Sequence, residues 1–222
     1  MNVYFISGLG ADSRIFKFLN LPEGFEKRYV EWIAPFKGER LTDYAERLTA
    51  QMDLTEPFVV AGLSLGGIMA TEIAKRHAPA ATILISSIPL SRQMPKYFLW
   101  ARYIGLTKVV PVSFIKKAAV AKRFLTKEKD EHKELVFQLI KDADDHFMEW
   151  AMDAVLRWKN EEIPQPLWQI HGTRDEVFPV MLTRPTHLIP KAGHMALLTD
   201  AERVDEILEE ILQGVRTARA VR

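Results

Sequence analysis

Apolar and polar positions along the chain alternate between two periodicities, and this alternation repeats over most of its length. Short segments rich in apolar and β-branched residues occur near 3–7, 28–33, 58–63, 82–86, 167–171 and 186–190, and those near 3–7 and 58–63 are almost uninterrupted. Apolar residues recur at helical spacing in three segments, near 40–52, 65–77 and 200–213. Uninterrupted apolar runs are typical of strands that are buried on both faces of a parallel sheet. The pattern therefore predicts an α/β protein whose sheet has about six mostly parallel strands flanked by helices.

One segment, residues 89–160, departs from this alternation of strands and helices. It contains helical patterns and most of the aromatic residues that the sheet does not need. The departure predicts a helical insertion between two parts of one core, residues 1–88 and 161–222. A chain of 222 residues with 48% hydrophobic content is long enough to bury such a core as a single domain.

The candidate chemistry begins at Ser64, which lies between Gly62 and Gly66 where the third strand changes into a helix. A Gly-x-Ser-x-Gly segment at such a turn is typical of a nucleophile elbow. The sharp turn brings backbone close to the residues two before and two after the serine, so only glycine fits there. It also leaves the amide of Leu65 free at a helix N-terminus, where it can bind the oxyanion of an attacked carbonyl. A glycine-rich turn without catalytic function is the alternative.

Two polar residues in turns after later strands are the candidate partners of Ser64. Asp175 follows the fifth predicted strand, and His194 follows the sixth. Loops at the carboxyl ends of parallel strands meet at one edge of a sheet, so these side chains can reach the serine. The order serine, carboxylate, histidine predicts a triad with His194 as the base and Asp175 as the acid. His171, which ends the fifth strand, is predicted to shape the turn of the acid.

Together these features resemble the α/β-hydrolases, and the resemblance covers nearly the whole chain. The elbow, the His-Gly-x-x-Asp turn and the Gly-His turn follow one another in the order of that family. A fourth match is the turn Ser7-Gly8-Leu9 after the first strand, where the family usually has His-Gly and a residue whose amide completes the oxyanion hole. The resemblance implies that Leu9 supplies this amide, and Ser7 in place of the usual histidine alters the support of the loop. The first two strands that are usual in the family are expected to be missing.

The resemblance also assigns a function to the insertion, residues 89–160. In this family an insertion at this place folds over the nucleophile as a cap and supplies much of the substrate pocket. Trp100 and Trp150 are therefore candidate substrate-binding residues. Aromatic residues at helical spacing more often serve packing, however, and that alternative predicts a tryptophan buried in the core.

Charge is distributed unevenly within this insertion. Residues 91–141 carry an excess of lysine and arginine, whereas residues 142–162 carry an excess of acids. The simplest interpretation is two solvated surfaces that attract each other. The alternative is that the basic stretch from 96 to 123 meets an anionic substrate, an acidic partner or a membrane surface. The acids at the start of the second segment are typical of a helix N-terminus.

Composition and charge exclude several other classes of protein. The chain has no cysteine, which rules out disulfides and thiolate metal sites and favours an intracellular setting. Its six histidines are dispersed, so we predict no metal and no cofactor. No signal peptide or apolar stretch of bilayer length is visible, and a net charge of +1 gives no general attraction to nucleic acid. We expect a cytoplasmic protein that acts on a small molecule, in an oligomeric state that the sequence does not indicate.

The triad and the family resemblance imply nucleophilic acyl transfer on a small carboxylic ester or a related carbonyl compound. In the family the same constellation also performs hydroxynitrile cleavage, perhydrolysis and amide hydrolysis, so a lyase is an alternative. A ligand-binding or signalling protein that keeps the pocket without turnover is a second alternative. The complete set of triad residues favours the serine hydrolase over both.

Overall fold

A computed structural model of the protein describes residues 1–103, 110–114, 116–118 and 130–220. Its sheet has six strands, β1 (Asn2–Ile6), β2 (Glu26–Val30), β3 (Phe58–Leu63), β4 (Ala81–Ile85), β5 (Leu167–Gly172) and β6 (His187–Ile189). The order across the sheet is β2-β1-β3-β4-β5-β6, and every neighbouring pair is parallel. The predicted α/β architecture with six strands is therefore confirmed.

Helices accompany the sheet, and those with defined bounds in the described part of the chain are α1 (Leu41–Leu48), α2 (Leu65–His77), α3 (Lys96–Tyr103), α4 (Asp130–Asp142), α5 (Asp145–Arg157), α6 (Ala196–Thr199) and α7 (Ala201–Ala220). Helix α1 is shorter than predicted, because Thr49–Gln51 tighten into a 3-10 turn. Helix α7 is longer than predicted. It continues past Gly214 because Val215 still buries its side chain one turn after Ile211.

The two faces of the sheet carry separate hydrophobic clusters, since successive side chains of a strand point to opposite sides. On β1, Val3 and Phe5 belong to the cluster that includes the buried face of α7. Tyr4 and Ile6 belong to the cluster that includes α1 and α2. Strands β1 and β3 lie in the middle of the sheet and are buried on both faces, which explains their uninterrupted apolar sequences.

Strand β2 lies at one edge of the sheet, and it ends three residues before its predicted end at residue 33. Beyond Val30 the chain pairs with a side chain instead of a neighbouring strand. The hydroxyl of Tyr44 on α1 accepts from the amide of Ile33 at 3.0 Å and donates to the carbonyl of Ile33 at 2.8 Å. This contact satisfies both backbone groups of Ile33 outside the sheet.

Helices α3, α4 and α5 belong to the insertion between β4 and β5. Its two ends are joined by hydrogen bonds, because the amide of Ser91 donates to the carbonyl of Asn160 at 2.9 Å. The side-chain amide of Asn160 also donates to the carbonyl of Pro89 at 2.7 Å. The indole of Trp158 also donates a hydrogen bond to the buried carboxylate of Glu72 on α2 at 2.8 Å. The insertion is therefore attached to the core at a defined neck.

Within the insertion, the ammonium group of Lys116 in the basic segment lies against the carboxylate of Asp145 in the acidic segment. This contact agrees with the interpretation that the two segments attract each other. Much of the basic stretch, namely residues 104–109, 115 and 119–123, lies outside the described residues. In the part of the chain that the structure describes, no helix has the length and hydropathy that crossing a membrane requires.

Candidate active site

Ser64 lies at the junction of β3 and α2 in a backbone conformation that is rare for a residue with a side chain, with φ of 51° and ψ of −114°. The turn is tight on both sides. A Cβ atom on Gly62 would lie 2.1 Å from the carbonyl oxygen of Gly66, and one on Gly66 would lie 2.1 Å from that of Ile6. Both glycines are therefore required by close backbone approach, as the sequence pattern predicts.

The loop after β1 lies directly beside Ser64. A Cβ atom on Gly8 would be 3.5 Å from the Cβ of Ser64. The loop is held by a turn in which the amide of Ala11 donates to the carbonyl of Gly8 at 3.1 Å. The hydroxyl of Ser7 and the indole of Trp32 both donate to the carbonyl of Ala11, at 2.8 and 2.9 Å. Ser7, in place of the usual histidine, thus supports the loop from within.

Two backbone amides near the serine are candidate oxyanion donors. Leu65 is the first residue of α2, where an amide has no acceptor within the helix. Leu9 follows Gly8 in the loop beside Ser64, and its amide donates to no other described residue. The structure therefore brings both sequence-predicted donors to the surroundings of Ser64.

The three predicted triad residues form one hydrogen-bonded chain. Nε2 of His194 is 3.0 Å from Oγ of Ser64. Nδ1 of His194 is 2.9 and 3.0 Å from the two carboxylate oxygens of Asp175. The carboxylate of Asp175 is buried, and its Oδ1 also accepts from the amides of Val177 and Phe178, each at 2.8 Å. These bonds orient a carboxylate toward the imidazole and satisfy its charge away from water.

A second histidine, His171, lies behind the carboxylate of Asp175, and its side chain has no exposed surface. Its Nε2 is 2.7 Å from the carbonyl oxygen of Phe178 and 3.4 Å from Oδ2 of Asp175. A carbonyl can only accept, so Nε2 carries the proton. Nδ1 is buried and has no hydrogen-bond partner among the described residues. Burial lowers the pKa of His171 below its usual value, which keeps the ring neutral as a support for the acid turn.

The depressed pKa of His171 predicts a loss of stability in mild acid. In the unfolded chain this imidazole takes up a proton as the pH falls through about 6.5, whereas the folded protein resists protonation until a lower pH. The contribution of the neutral His171 ring to the free energy of unfolding is thus complete above about pH 6.5 and is lost as the pH falls below it. Between pH 7.5 and 5 the free energy of unfolding should fall more in the wild type than in His171→Gln. The loss in the wild type should exceed the loss in the variant by at most about 2 kcal/mol. Urea denaturation of both proteins at both pH values measures the two losses.

Glutamine is the matched replacement because its side-chain amide can donate to the carbonyl of Phe178 without titrating near neutrality. His146, which is exposed, provides the control. The variant His146→Gln should keep the pH dependence of the wild type. If His171→Gln keeps it as well, the buried imidazole is not the group that makes folding sensitive to mild acid.

A cavity of about 280 Å³ opens in front of Ser64 and His194. Its walls are mostly apolar and include Val136 and Leu139 of α4 and Met148 of α5. Residues of the insertion therefore line the cavity in front of the serine, with aliphatic and thioether side chains. Helical spacing alone could not identify these three residues as cavity residues, because ordinary core residues of a helix have the same spacing.

Neither tryptophan that the sequence proposes for substrate binding is among the described residues that line this cavity. Trp150 is buried in the core, with its ring centroid 4.2 Å from that of Tyr44, and its indole donates to the carbonyl of Glu39 at 3.0 Å. The prediction for Trp150 is corrected accordingly, because its apolar face and its polar atom are both used in packing. Trp100 is 66% exposed and makes an edge contact with Tyr103.

Two charged residues, Lys116 and Glu176, also line the cavity. Lys116 belongs to the basic stretch from 96 to 123, whereas Glu176 was not among the predicted site residues. Lys116 is engaged by Asp145, as described above. Glu176 follows the acid in sequence, and its Oε2 accepts from the backbone amide of His194 at 3.3 Å. The signal for Glu176 was its position next to Asp175 in the turn, since that turn and the turn of His194 face each other.

The acids predicted to open a helix have structural partners. Asp142 is the last residue of α4 and pairs with Arg14, whereas Asp144 caps α5 by accepting from the amide of Phe147. Among residues 1–103, 110–114, 116–118 and 130–220, no group of three or more histidine or acidic side chains is placed to hold a metal ion. Asp144 and Asp145 begin a helix, as the sequence pattern indicates, whereas Asp142 ends the preceding one.

A parallel sheet with a strained serine between its central strand and the next helix defines an α/β protein of hydrolase type. The sequence matches the alpha/beta hydrolase family over residues 3–207, and the chain belongs to that family. It is an enzyme of this class, as the sequence predicts. No curated protein matches the chain by sequence.

Several solved structures share this fold. An esterase from Thermogutta terrifontis is similar with a TM-score of 0.72 and 19% identity, over 97% of this chain and 90% of the other. MenH from S. aureus has a TM-score of 0.75 and 18% identity, over 97% and 94% of the two chains. An esterase from Exiguobacterium antarcticum has a TM-score of 0.73 and 21% identity, over 97% and 92%. At these identities the comparisons establish the fold alone.

Proposed function

We propose that this enzyme hydrolyses small carboxylic esters by nucleophilic acyl transfer at Ser64. The observation that carries the proposal is the hydrogen-bonded chain from Ser64 through His194 to the buried Asp175, which opens into a small apolar cavity. Two of the similar structures named above are esterases, which supports the same reaction class.

In the proposed first step, Oγ of Ser64 attacks the ester carbonyl while its proton passes to Nε2 of His194. Asp175 holds Nδ1–H of the imidazole and stabilises the imidazolium that forms. The amides of Leu9 and Leu65 bind the developing oxyanion, a contribution that typically amounts to about a hundredfold to a thousandfold in rate per donor. Collapse of the intermediate breaks the bond to the alcohol, which leaves with the proton from His194.

In the proposed second step, water attacks the acyl-enzyme carbonyl and gives its proton to His194. The tetrahedral intermediate expels Oγ of Ser64, which recovers the proton, and the carboxylic acid departs. No residue beyond the triad and the two amides is required for this cycle. The apolar walls contributed by Val136, Leu139 and Met148 would contact the acyl or alcohol group of the substrate.

The volume of the cavity predicts a preference for short substrates. Ligand pockets for drug-sized molecules span roughly 300–1,000 Å³, so 280 Å³ is at the small end. Esters of p-nitrophenol with two- to four-carbon acyl chains should be hydrolysed with a kcat/KM at least about tenfold higher than the hexadecanoyl ester, because a long chain cannot be buried. Initial rates over a series of chain lengths, in detergent below its micellar concentration, measure this preference.

Ser64→Ala is the control for background hydrolysis in this series. A preference for the long-chain ester would contradict the small-substrate proposal. Absence of turnover on esters, thioesters and lactones in folded protein would contradict ester hydrolysis itself and leave a binding protein. Cyanide release from mandelonitrile in that case would identify a lyase.

A further inference from the structure

Helix α3 of the insertion contacts the turn that carries the acid, residues 173–178, here called the acid turn. The hydroxyl of Tyr97 is 2.6 Å from the carbonyl oxygen of Val177 and 3.1 Å from that of Glu176. A phenol has one proton to donate, and the shorter distance assigns it mainly to Val177. Burial and the carboxylates of Asp175 and Glu176 raise the pKa of Tyr97, so its hydroxyl remains a donor at neutral pH.

The next residue of α3 contacts the same turn through its ring. Phe98 is stacked on Phe178, with centroids 6.0 Å apart and an angle of 17° between the ring planes. Phe178 in turn meets the imidazole of His194 edge to face at 5.8 Å. Two adjacent residues of the insertion thus contact the acid turn, one at a backbone carbonyl and one at an aromatic ring.

The contacted residues are those whose backbone orients the acid. The amides of Val177 and Phe178 both donate to Oδ1 of Asp175. The beginning of the turn is fixed to the core, since the amide of Thr173 donates to the carbonyl of Ile189 at 3.1 Å. The end of the turn has no strand beside it, and it is held by His171 from the inside and by α3 from the outside.

We propose that Tyr97 and Phe98 are positioning residues that hold the acid turn in the geometry in which Asp175 faces His194. This inference rests on the proposed function of the triad. It gives the insertion a role in the chemical step besides its role in walling the cavity. The contacts of Tyr97 and Phe98 restrict the position of the acid turn. A displacement of catalytic groups by about 1 Å can cost two orders of magnitude in rate.

Tyr97→Phe tests the proposal because it removes the hydroxyl and keeps the ring that packs on Phe98. We expect kcat for a short ester to fall about tenfold while KM changes by less than about twofold, since the change acts on the orientation of Asp175, whereas most of the cavity wall, including Val136, Leu139 and Met148, lies outside the acid turn. Tyr103→Phe is the matched control, because Tyr103 lies in the same helix and is 85% exposed. It should keep the wild-type kcat. Melting temperatures of both variants report whether folding is unchanged.

A second readout does not depend on turnover. The low-field proton NMR signal of Nδ1–H between His194 and Asp175 should broaden or shift in Tyr97→Phe and stay in place in Tyr103→Phe. An unchanged signal together with an unchanged kcat would overturn the proposal, and so would a rise in KM alone, because it would show that α3 affects substrate binding and not the chemical step. If the wild type turns over no ester and the NMR signal still responds to Tyr97→Phe, the positioning role stands and the proposed function fails.

Discussion

The Ser64→Ala variant is expected to lose about a millionfold in kcat for a short ester, because no other group can form the acyl-enzyme. The substitution removes only the hydroxyl group, and alanine fits the same turn. His194 and Asp175 retain each other as partners, so the fold should be preserved. Steady-state rates with purified protein, corrected for spontaneous hydrolysis, measure the loss. Ser113→Ala, at an exposed position of the insertion, is the control and should keep wild-type activity.

A fluorophosphonate probe distinguishes Ser64 from its nearest rivals, Ser86 and Ser87, which follow β4. Both rivals are fully buried. The hydroxyl of Ser87 already donates to the carbonyl of Ser64 at 2.6 Å. In the described part of the chain neither hydroxyl is paired with a base, so the adduct should form on Ser64 alone. Mass spectrometry that placed it on Ser86 or Ser87, or found none in folded protein, would remove Ser64 from the role of nucleophile.

The elbow could be predicted from sequence because its constraints are local. Gly62 and Gly66 are needed by backbone contacts that the turn itself creates, so the residue types appear at fixed spacing from Ser64. The strands could be predicted for a related reason, since burial on both faces demands consecutive apolar residues. The meeting of Asp175 and His194 with the serine follows from topology: parallel strands deliver their carboxyl ends to one edge.

The cavity walls could not be predicted, because a helical stripe does not tell which surface it faces. Phe147 and Trp150 lie on one face of α5, and that face packs against Tyr44 of α1. Met148 lies on another face of the same helix and borders the cavity. A large aromatic residue is as suitable for a core as for a pocket, so residue type did not separate the two. Only the orientation of the helix on the sheet determines which of its residues line the cavity.

The contact of Tyr97 with the acid turn left no sequence signal at all. Its acceptors are backbone carbonyls, which every residue type possesses, and they are 79 and 80 residues away. The support of Asp175 by two backbone amides is equally independent of residue type. The candidate catalytic side chains were therefore predictable from the sequence, whereas the backbone groups that orient them were visible only in the structure.

Asp175→Asn is expected to lower kcat about ten-thousandfold while the protein stays folded. The asparagine carbonyl can accept from the amides of Val177 and Phe178 as Oδ1 does now, so the turn is maintained. The remaining amide nitrogen then faces Nδ1 of His194 as a donor, and the imidazole must present its lone pair there. Its proton moves to Nε2, which can no longer accept the proton of Ser64. Steady-state kinetics and circular dichroism of the same preparation separate the loss of activity from any loss of fold.

Two further variants decide whether this loss belongs to Asp175 specifically. Asp43→Asn removes a carboxylate from the exposed side of α1, where it pairs with Arg40, and should leave kcat unchanged. Glu176→Gln tests the neighbouring acid, whose carboxylate contacts the backbone of His194 instead of its imidazole. Turnover of Asp175→Asn within about tenfold of the wild type, combined with a large loss in Glu176→Gln, would transfer the role of the acid to Glu176. The tautomer argument predicts the opposite order, because among the described residues only Asp175 has carboxylate oxygens within hydrogen-bond distance of Nδ1.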